Sequence, residues 1–468
     1  MDKSFILIFI TLLLQTPLHA IELSEVEHLL LPVLIVETIG HEEPTCDYVF
    51  APEGAFGIGT TNNTKVPGRV LLVEQGDTLF DSGPYVKNLS GMTIRIRGNT
   101  SAYYSEKKPF KIKLEKKNDL LCRHDSAFYD KNWALLRDGD DELYTMIGNL
   151  VNQLVGMPYT PAYRYVNVVV NNDYRGIYML TETIRRNADC RLNVSSQSGY
   201  IIERDAYWWN EAICFKTPMG MEFTFKYPDE DDVTEQQTDY IQSVVETMEQ
   251  SIENGTYDQY IDVRSFAAWM LAHDLLGTND SGGSNIYLSK YDDSDTTLLQ
   301  MTTLWDFGSI MHQQRRESFS GIHSDSFFYY PRLFSNENPA FLHAYKALWD
   351  ELSPTVFDDI IAALSDFRSS PTATALQQSR PFEYERWNYT GSSVDNNITS
   401  AITWFSNRKR WMTAAINATN IRDPRQNVSA SSTIYSLNGQ RISSSQSLKP
   451  GIYIRNGKKI IVHLNDFK

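Results

Sequence analysis

Four segments in the first quarter of the chain carry strand patterns, and they constrain the fold more than any other feature of the sequence. The segments are 31–38, 68–74, 92–98 and 108–116, and Gly, Asn and Pro separate them. In the last segment the apolar residues Phe110, Ile112 and Leu114 occupy alternate positions. Lys111 and Lys113 lie between them. Because neighbouring side chains of a strand point to opposite faces, one face should enter a core and the other should present amines to a cleft or to water.

A helix and a hairpin follow the predicted strands. The apolar stripe over 143–154 predicts the helix, and Asp140 or Asp141 can cap it. Two strand patterns within 164–182 flank a polar turn, and they predict a hairpin that ends at Glu182. The order of elements is therefore strands, one helix, then a strand pair.

The second half of the chain is mostly helical in pattern. The apolar stretch 263–276 lies between Asp262, which can cap a helix, and Gly277, which can end one. The segment 278–285 is then the loop that leaves a buried helix. Two strand patterns follow, and Asp306 lies near the end of the second, so the loop and Asp306 should lie at the ends of neighbouring elements.

The composition indicates a globular, acidic protein. Hydrophobic residues make up 42% of the chain, the net charge is −15 and the isoelectric point is near 5.1. Nucleic acid is not an expected partner, because phosphate backbones are bound by basic faces. Negative charge concentrates in 222–258, where Ile241, Val245 and Met248 recur at helical spacing. A solvated helix face explains this charge better than a cation site.

The N-terminus has the features of an export signal. Lys3 precedes the apolar run 5–14, and the small residue Ala20 follows a proline. The run is too short to span a bilayer, which takes ~20 residues, so we expect an exported protein without a transmembrane segment. The cysteines are Cys46, Cys122, Cys190 and Cys214. Their even number permits up to two disulfides in an oxidising compartment, and free thiols are the alternative.

The loop 278–285 resembles two different catalytic motifs. Asn279-Asp280-Ser281-Gly-Gly is close to the nucleophile loop of chymotrypsin-like serine proteases. A serine nucleophile needs a histidine base and an orienting carboxylate, and none of the nine histidines has the expected context. His273 falls inside the predicted helix, where packing is the simpler explanation. The protease interpretation is therefore rejected.

The second motif is that of phosphoryl transfer. Asp280 and Asn285 have the Asp-x-x-x-x-Asn spacing of the protein-kinase catalytic loop, and Asp306-Phe307-Gly308 follows downstream. Such a reaction needs one carboxylate to orient the acceptor hydroxyl and oxygen ligands for a hard divalent cation. No GxGxxG loop occurs in the chain, which argues against an ordinary protein kinase.

Several segments of the chain together resemble the CotH kinase family, named for spore coat protein H. They are 94–114, 132–156, 168–182, 199–205, 223–231, the Asp280–Asn285 loop and the Leu-Trp-Asp-Phe-Gly segment at 304–308. The resemblance implies an α+β, atypical protein-kinase-like fold of two lobes, a β-rich N-terminal lobe and a mainly helical C-terminal lobe. It further implies use of ATP with Mg²⁺ or Mn²⁺, and phosphorylation of Ser/Thr in secreted or surface proteins.

The resemblance also implies roles for individual residues in the loop region. Asp280 matches the catalytic aspartate, and Asn285 and Asp306 match the metal ligands. Each has a structural alternative: Asp280 can accept backbone N–H bonds in a Gly-rich turn, Asn285 can begin a strand, and Asp306 can bond a neighbouring loop.

Basic residues of the predicted β region match the family's phosphate-binding positions. Arg97 and Lys108 are the matched residues, and Lys111 and Lys113 compete with them. The structural alternative is that a charged strand edge prevents aggregation. Glu182 matches the acidic residue that closes the hairpin of the nucleotide hinge.

The tail resembles the C-terminal sorting domains of Bacteroidetes cargo for type IX secretion. The matching pieces are "IYSLNGQRI" and "LKPGIYIRNGKKIIV". The resemblance implies an export-machinery partner and a cell-surface or extracellular location, or the periplasm if the tail is not a sorting signal. The predicted organisation is a signal peptide (1–20), a β-rich region (21–185), a helical region with the catalytic loop (186–424), and a linker with a small β module (425–468).

Two further functions compete with an exported kinase at this point. A non-catalytic adhesion or interaction protein could use the same fold, and the scarcity of ATP outside the cell favours it. A secreted carbohydrate-active enzyme would also have acidic pairs and many aromatic residues, but the chain carries no motif for it. The protein substrate, nucleotide preference and oligomeric state are not readable from the sequence.

Overall fold

The computed structural model describes residues 20–137, 143–279, 284–323 and 329–418, together with strands between 434 and 462. The chain forms two compact units, 1–415 and 416–468. The first unit is a mixed α+β structure with a sheet-rich N-terminal part and a helical C-terminal part. Among the described residues, no helix combines the length and apolar character that crossing a membrane requires.

The strands predicted from the sequence in the first unit are present, with others between them. They are β1 (Val33–Thr38), β2 (Asp47–Phe50), β3 (Ile58–Thr61), β4 (Val66–Glu74), β5 (Asp77–Asp81), β6 (Met92–Ile96), β7 (Phe110–Asn118), β8 (Asp130–Leu136), β9 (Tyr163–Val170), β10 (Asp173–Glu182), β11 (Tyr200–Arg204), β12 (Cys214–Lys216), β13 (Glu222–Tyr227), β14 (Ile286–Lys290) and β15 (Gln300–Met301). The strand pattern that contains Asp306 yields only the short β15, so Asp306 follows a strand rather than lying in one.

The largest sheet closes on itself. Its eight strands follow the order β1-β9-β10-β8-β7-β6-β4-β5, and β1 also pairs with β4. The β1–β9 pairing is parallel, and the other pairings are antiparallel. The nine-residue β4 makes closure possible because Val66–Gly68 pairs with β6 while Gly68–Val73 pairs with β1.

Alternate side chains of these strands fill the space inside the closed sheet. Ile94 and Ile96 of β6, Ile112 and Leu114 of β7, and Trp133 of β8 belong to one buried cluster with residues of β1, β4, β9 and β10. Burying one such aliphatic side chain contributes roughly 1.5–3 kcal/mol, so the apolar alternation determines which face of each strand turns inward. The predicted division of β7 into a core face and an amine-bearing face is confirmed.

A second sheet of five strands has the order β12-β13-β11-β14-β15. Its pairings are antiparallel, and β11 lies in the middle between β13 and β14. The strand β14 belongs to the segment that leaves the predicted loop 278–285. This sheet therefore brings the end of that loop, residues 284–285, next to β11, which precedes it by more than 70 residues in the sequence.

The helices α1 to α10 are Leu23–Val26, Thr100–Tyr104, Leu143–Leu154, Glu235–Asn254, Val263–Leu276, Tyr329–Ser335, Ala340–Leu352, Val356–Arg368, Pro371–Trp387 and Val394–Ala418. The predicted helices at α3, α4 and α5 are confirmed. Asp262 accepts a hydrogen bond from the Ser265 N–H at the start of α5, and Gly277 ends it in the left-handed conformation. The candidate caps Asp140 and Asp141 lie outside the described residues. Almost every side chain of α5 is buried, as expected for a helix that is apolar on all sides.

A buried ion pair joins α9 to the closed sheet. The Lys107 Nζ lies 2.7 Å from Glu383 Oε1, and Glu383 Oε2 accepts a 2.7 Å hydrogen bond from the Ile177 N–H. Gly176, with φ of +102°, lies against this carboxylate, and a Cβ at that position would overlap it. Position 176 of β10 therefore requires a glycine, because only a residue without a Cβ leaves room for the Glu383 carboxylate.

The second unit contains β16 (Ile434–Ser436), β17 (Arg441–Ile442), β18 (Gly451–Arg455) and β19 (Lys458–Val462), in the antiparallel order β17-β16-β18-β19. The two β patterns predicted there are confirmed as strands. In the first unit, Cys46, Cys122, Cys190 and Cys214 are all free thiols, so the alternative of unpaired cysteines is the one that the structure shows.

Candidate functional site

Asn285 and Asp306 meet at one end of the second sheet. Asn285 immediately precedes β14 and Asp306 follows β15, and the Asn285 Nδ2 lies 3.4 Å from Asp306 Oδ2. Both residues have left-handed backbone conformations, with φ of +64° and +60°. Non-glycine residues are uncommon in the left-handed region, and the surrounding structure must hold a residue in that conformation. Strained backbone of this kind recurs at functional sites. Two predicted metal ligands are thus brought together.

The helix α3 holds the segment that carries Asp306. Phe307 is buried, and its ring lies so close to Gly148 of α3 that a Cβ there would overlap it. The Asn152 side chain accepts a 2.8 Å bond from the Leu304 N–H and donates a 2.7 Å bond to the Tyr159 carbonyl. Because Leu304 and Phe307 are both held against α3, the exposed carboxylate of Asp306 has a defined position at the surface.

Glu203 of β11 and Asp205, which directly follows that strand, hold the loop end that carries Asn285. The Asn285 N–H donates to Glu203 Oε1 at 3.1 Å, and the Ser284 hydroxyl donates to Asp205 Oδ1 at 3.2 Å. Glu203 also forms a 2.8 Å ion pair with Lys226 of β13. The position of Asn285 therefore depends on the Glu203–Lys226 pair, in which Glu203 is buried and Lys226 is partly exposed.

The electrostatics of this pair follow from burial. Burial raises the pKa of Glu203, and Lys226 opposes that shift. Burial also lowers the pKa of Lys226, but Glu203, Asp205 and Glu211 outweigh it and hold that pKa above its usual range. Lys226 therefore stays charged.

Glu211 is a further titrating group in these surroundings. Burial raises its pKa to about 8, a hydrogen bond with Glu230 adds to the shift, and Lys226 opposes it. At neutral pH the Glu211–Glu230 pair is therefore expected to hold a proton between two carboxyl groups.

Arg97 supplies positive charge beside Asp306. It follows β6, its N–H bonds the Pro109 carbonyl at 3.0 Å, and its guanidinium carbon lies 5.8 Å from the centre of the Trp305 ring. Burial lowers the pKa of Arg97, while the charges of Asp306 and Glu203 act to raise it. A half-buried guanidinium next to the candidate metal ligands is well placed to meet an anionic ligand. Trp305 is partly buried and packs on the core while also contacting this cation.

The structure places Lys108 elsewhere than the sequence-based prediction expects. Its ammonium donates to the Ala102 carbonyl at 2.6 Å and to the Tyr48 hydroxyl at 3.1 Å. Tyr48 packs against the buried cluster of the closed sheet, whereas Arg97 lies against Trp305. The ammonium of Lys108 is therefore bonded to groups other than those around Arg97.

The carboxylate of Glu182 is likewise occupied by neighbouring groups. Its Oε1 lies 2.9 Å from Arg123 Nη2, and its Oε2 accepts bonds from the Tyr159 hydroxyl at 2.9 Å and the Ala162 N–H at 3.0 Å. Glu182 does end the hairpin at the end of β10, as predicted. These partners give it a structural role there, and they leave little of its hydrogen-bonding capacity for a ligand.

Lys113 and its competitor Lys111 lie on the outer face of β7. Lys111 is opposite Arg95 and Lys113 is opposite Thr93 in the register with β6. They line a small pocket that Arg97, Asn285 and Asp306 do not line. Asp280, the predicted catalytic residue, lies outside the described residues.

His273 was the histidine weighed in the discarded protease interpretation. The buried ring of His273 has its Nδ1 3.0 Å from the Thr278 hydroxyl, and burial lowers its pKa to about 3. A neutral, hydrogen-bonded core histidine agrees with the packing role expected from the sequence. Ser281 lies outside the described residues.

Sequence reasoning missed Glu203, Asp205 and Lys226. A signal for them was present, since Glu203 interrupts an apolar strand and Lys226 interrupts another. A buried charge requires a partner, and two such residues in segments of one predicted region could have been paired.

Asn285 and Asp306 suit a hard divalent cation by their chemistry. An amide oxygen and a carboxylate are oxygen donors, which Mg²⁺ and Mn²⁺ prefer. Within the described parts of the chain, no group of three or more His, Cys, Asp or Glu residues forms a complete metal cage. One or two protein oxygens are nevertheless the usual provision where substrate phosphates supply the remaining ligands.

Comparison with known proteins defines the class of the chain. The model of the family described as CotH kinase protein matches residues 94–412, more than half of the sequence. The chain belongs to this family of kinase-like proteins. Among solved structures, it is similar to the Helicobacter pylori proinflammatory kinase CtkA at 11% identity and a TM-score of 0.28, over 63% of this chain and 94% of that chain. No curated protein matches the sequence.

Proposed function

We propose that the protein is an exported kinase that transfers a phosphoryl group from ATP, with Mg²⁺ or Mn²⁺, to Ser or Thr of secreted or surface proteins. Membership of the CotH kinase family supports the class of reaction. The observation that carries the proposal is the 3.4 Å approach of Asn285 and Asp306 beside Arg97, from three separate elements. Phosphoryl transfer depends mainly on positioning and on neutralising charge, and this group can do both.

Each residue of the site has a role in this proposal. The Asn285 and Asp306 side chains would hold the cation, which neutralises charge on the phosphates when it is bound. Arg97 would bind a phosphate oxygen, and its stacking on Trp305 limits its movement. Asp280 would orient the acceptor hydroxyl, a role that rests on its spacing from Asn285 in the sequence.

Two positioning groups support these residues. The Glu203–Lys226 pair fixes the Asn285 backbone, and α3 fixes Phe307 next to Asp306. The closed sheet and the helical part would form the two lobes around the nucleotide, as in other kinases. Residues 1–20 would direct export, and residues 425–468 would engage the export machinery and determine surface or extracellular release.

The test is phosphoryl transfer by the purified mature chain with γ-labelled ATP, Mg²⁺ or Mn²⁺ and generic protein acceptors. Asp306→Asn and Asp280→Asn should each lower transfer by at least about 100-fold, since each removes a charge that acts on the reacting groups. Lys108→Met is the matched control, because its ammonium bonds Ala102 and Tyr48 instead. Equal transfer by Asp306→Asn and the unaltered protein would contradict the proposal.

Nucleotide binding separates the kinase from the non-catalytic interaction protein. A ligand that binds only the folded state should add roughly 2.7 kcal/mol of stability at 100 times its dissociation constant. We expect ATP with Mn²⁺ to raise the unfolding midpoint, and Asp306→Asn to remove most of that rise. A chain that gains no stability from any nucleotide and transfers no phosphate would instead be an interaction protein on a kinase-like fold.

A further inference from the structure

The strand β2 carries exposed aromatic residues along its outer edge. Within the described part of the chain, β2 pairs with β3 alone, as a two-stranded sheet. The Ala51 N–H donates to the Gly57 carbonyl at 3.1 Å, and this pair continues the β2–β3 register. Inward-facing and outward-facing residues alternate along an antiparallel pair, so the peptide N–H and C=O groups of Tyr48 and Phe50 face away from β3. We call this side of β2 its outer edge.

Three exposed rings lie at this edge and form one surface. Phe50 is 65% exposed, and Tyr103 and Tyr104 of α2 are 37% and 74% exposed. The centre of the Tyr103 ring lies 6.0 Å from that of Phe50 and 4.8 Å from that of Tyr104. We call these three residues the aromatic patch. Contiguous exposed apolar surface of this kind marks an interaction site.

The sequence of β2 does not protect its outer edge from pairing. Proteins usually prevent pairing of an exposed strand by placing Lys or Pro within it. The four residues of β2 are Asp-Tyr-Val-Phe, and Pro52 comes only after them. Outward-facing main-chain groups beside apolar side chains are what binds an extended peptide as an added strand. The main-chain bonds then provide affinity, and the side-chain contacts provide specificity.

The geometry of the rings favours a peptide over a sugar. The ring plane of Tyr103 meets those of Phe50 and Tyr104 at 74° and 84°. The three rings therefore do not share one flat face on which a sugar ring could lie. Rings that meet edge to face instead leave an angle between them, and an apolar side chain can pack there.

The β2–β3 hairpin is fixed to the segment that carries Arg97. The Thr60 hydroxyl of β3 donates to the Gly98 carbonyl at 3.0 Å, and the Thr60 N–H donates to Asn99 Oδ1 at 3.2 Å. Gly98 and Asn99 directly follow Arg97 in the chain. The hairpin is thus held next to the cation of the candidate site.

The same hairpin is also fixed to the other side of the candidate site. Asn210 Nδ2 donates to the Thr60 carbonyl at 2.8 Å. Asn210 lies in the turn that follows Asp205, and Asp205 accepts the bond from Ser284 at the loop end that carries Asn285. A protein bound at β2 is therefore held beside the residues proposed to act in phosphoryl transfer.

We propose that the outer edge of β2 and the aromatic patch bind an extended, apolar segment of the acceptor protein as an added strand. This inference rests on the proposed function, because it identifies the partner as the protein that receives the phosphoryl group. The bound segment would match the four residues of β2 in length. Its side chains would alternate between two faces, and those on one face would contact the rings.

The first test measures phosphoryl transfer by the full mature chain to dephosphorylated casein at saturating ATP. Phe50→Thr and Tyr104→Ala should each raise the KM for casein by at least about 5-fold, because each removes a ring from the interface. The kcat and the KM for ATP should stay within about 2-fold. Both variants are expected to fold, since the two side chains are mostly exposed. Tyr260→Ala is the matched control, because Tyr260 is an exposed aromatic residue between α4 and α5.

The second test measures hydrogen exchange of the segment 46–51 and does not depend on transfer. The outward-facing amides of Tyr48 and Phe50 should exchange more slowly when casein is added, because an added strand bonds them. Phe50→Thr should need at least about 5-fold more casein for the same protection.

The outcomes separate this inference from the proposed function. Transfer with an unchanged KM for casein in both variants would overturn the inference and leave the kinase intact. Protection of 46–51 by casein without any transfer would refute the kinase and retain β2 as a peptide-binding edge. Exchange that casein does not slow would overturn the inference. So would protection that appears on raising the chain concentration alone, because that result would assign the edge to a second copy.

Discussion

Lys107 and Lys111 lie four residues apart and have opposite surroundings. Lys107 is 7% exposed, and its ammonium lies 2.7 Å from Glu383 and 2.6 Å from the Ile177 carbonyl. Lys111 is half-buried on the outer face of the sheet, and its nearest charged neighbours are mostly cations. Lys107 has a counter-charge within hydrogen-bond distance. The carboxylate that acts on Lys111 is Asp229, which is itself paired with Arg185.

The difference separates a charge that the fold pairs from a charge that the fold leaves among like charges. A buried charge is tolerated when the protein supplies an opposite charge and hydrogen bonds. Lys111 instead lies mostly among like charges, which add to burial in lowering its pKa. Lys108, which bonds Ala102 and Tyr48, lies between these extremes.

The largest loss of stability should come from removing the Lys107 side chain. Lys107→Ala leaves the buried Glu383 carboxylate without its cation, and we expect a loss of about 3–5 kcal/mol in the free energy of unfolding. Urea denaturation measures this, with Lys116→Ala as an exposed lysine control. A loss below about 1 kcal/mol would show that Lys107 is no more structural than Lys111.

The next largest loss of stability should come from a substitution at Gly176, which lies against the Glu383 carboxylate. Gly176→Ala would place a Cβ on the carboxylate at a positive φ, and we expect a loss of about 2–3 kcal/mol. Gly220→Ala is the matched control, because Gly220 also has a positive φ of +85° but has open space around it. Equal losses of stability in the two variants would show that the positive φ alone causes the loss in Gly176→Ala, and that the contact with the Glu383 carboxylate does not contribute.

A smaller effect is expected at Lys108. Lys108→Met removes the hydrogen bonds to the Ala102 carbonyl and to the Tyr48 hydroxyl, each worth about 1 kcal/mol or less. Binding of nucleotide should stay unchanged, and calorimetry checks it. A loss of nucleotide binding would return Lys108 to the phosphate-binding group predicted from the sequence.

The smallest change in the free energy of unfolding is expected for Lys111→Met, and it should be a gain in stability. Lys111→Met should stabilise the protein by about 0.2–1 kcal/mol at pH 7, because it removes like-charge repulsion. The folded-state pKa of about 7 lies below the unfolded value of 10.5, so between these pH values the unfolded chain binds the proton more strongly. Stability therefore rises with pH across this window in the unaltered protein. The advantage of Lys111→Met should shrink by pH 9.5, and a constant advantage in urea denaturation at both pH values would contradict the lowered pKa.

Local pattern was sufficient to predict much of the fold. The alternation in β7 and the helical spacing in α3 and α5 identified these elements, because a period of two or of 3.6 is set by backbone geometry and by burial of one face. Closure of the sheet through the β1–β4 pairing was not predicted. It depends on a strand long enough to pair with two partners, which no local period reveals.

In the candidate site, too, some features follow from local sequence and others depend on the tertiary structure. The sequence by itself determined that Asn285 and Asp306 stand in a spacing typical of kinases, because residue types and intervals are local properties. The family resemblance matched Arg97 to a phosphate-binding position, and in the structure Arg97 lies against Trp305 and feels the charge of Asp306. Only the tertiary structure decided that Lys108 and Glu182 bond other groups, and that Glu203 and Lys226 hold the loop end. The physical reason is that the partner of a charge is chosen by distance in the folded chain, and strands far apart in sequence supply that partner.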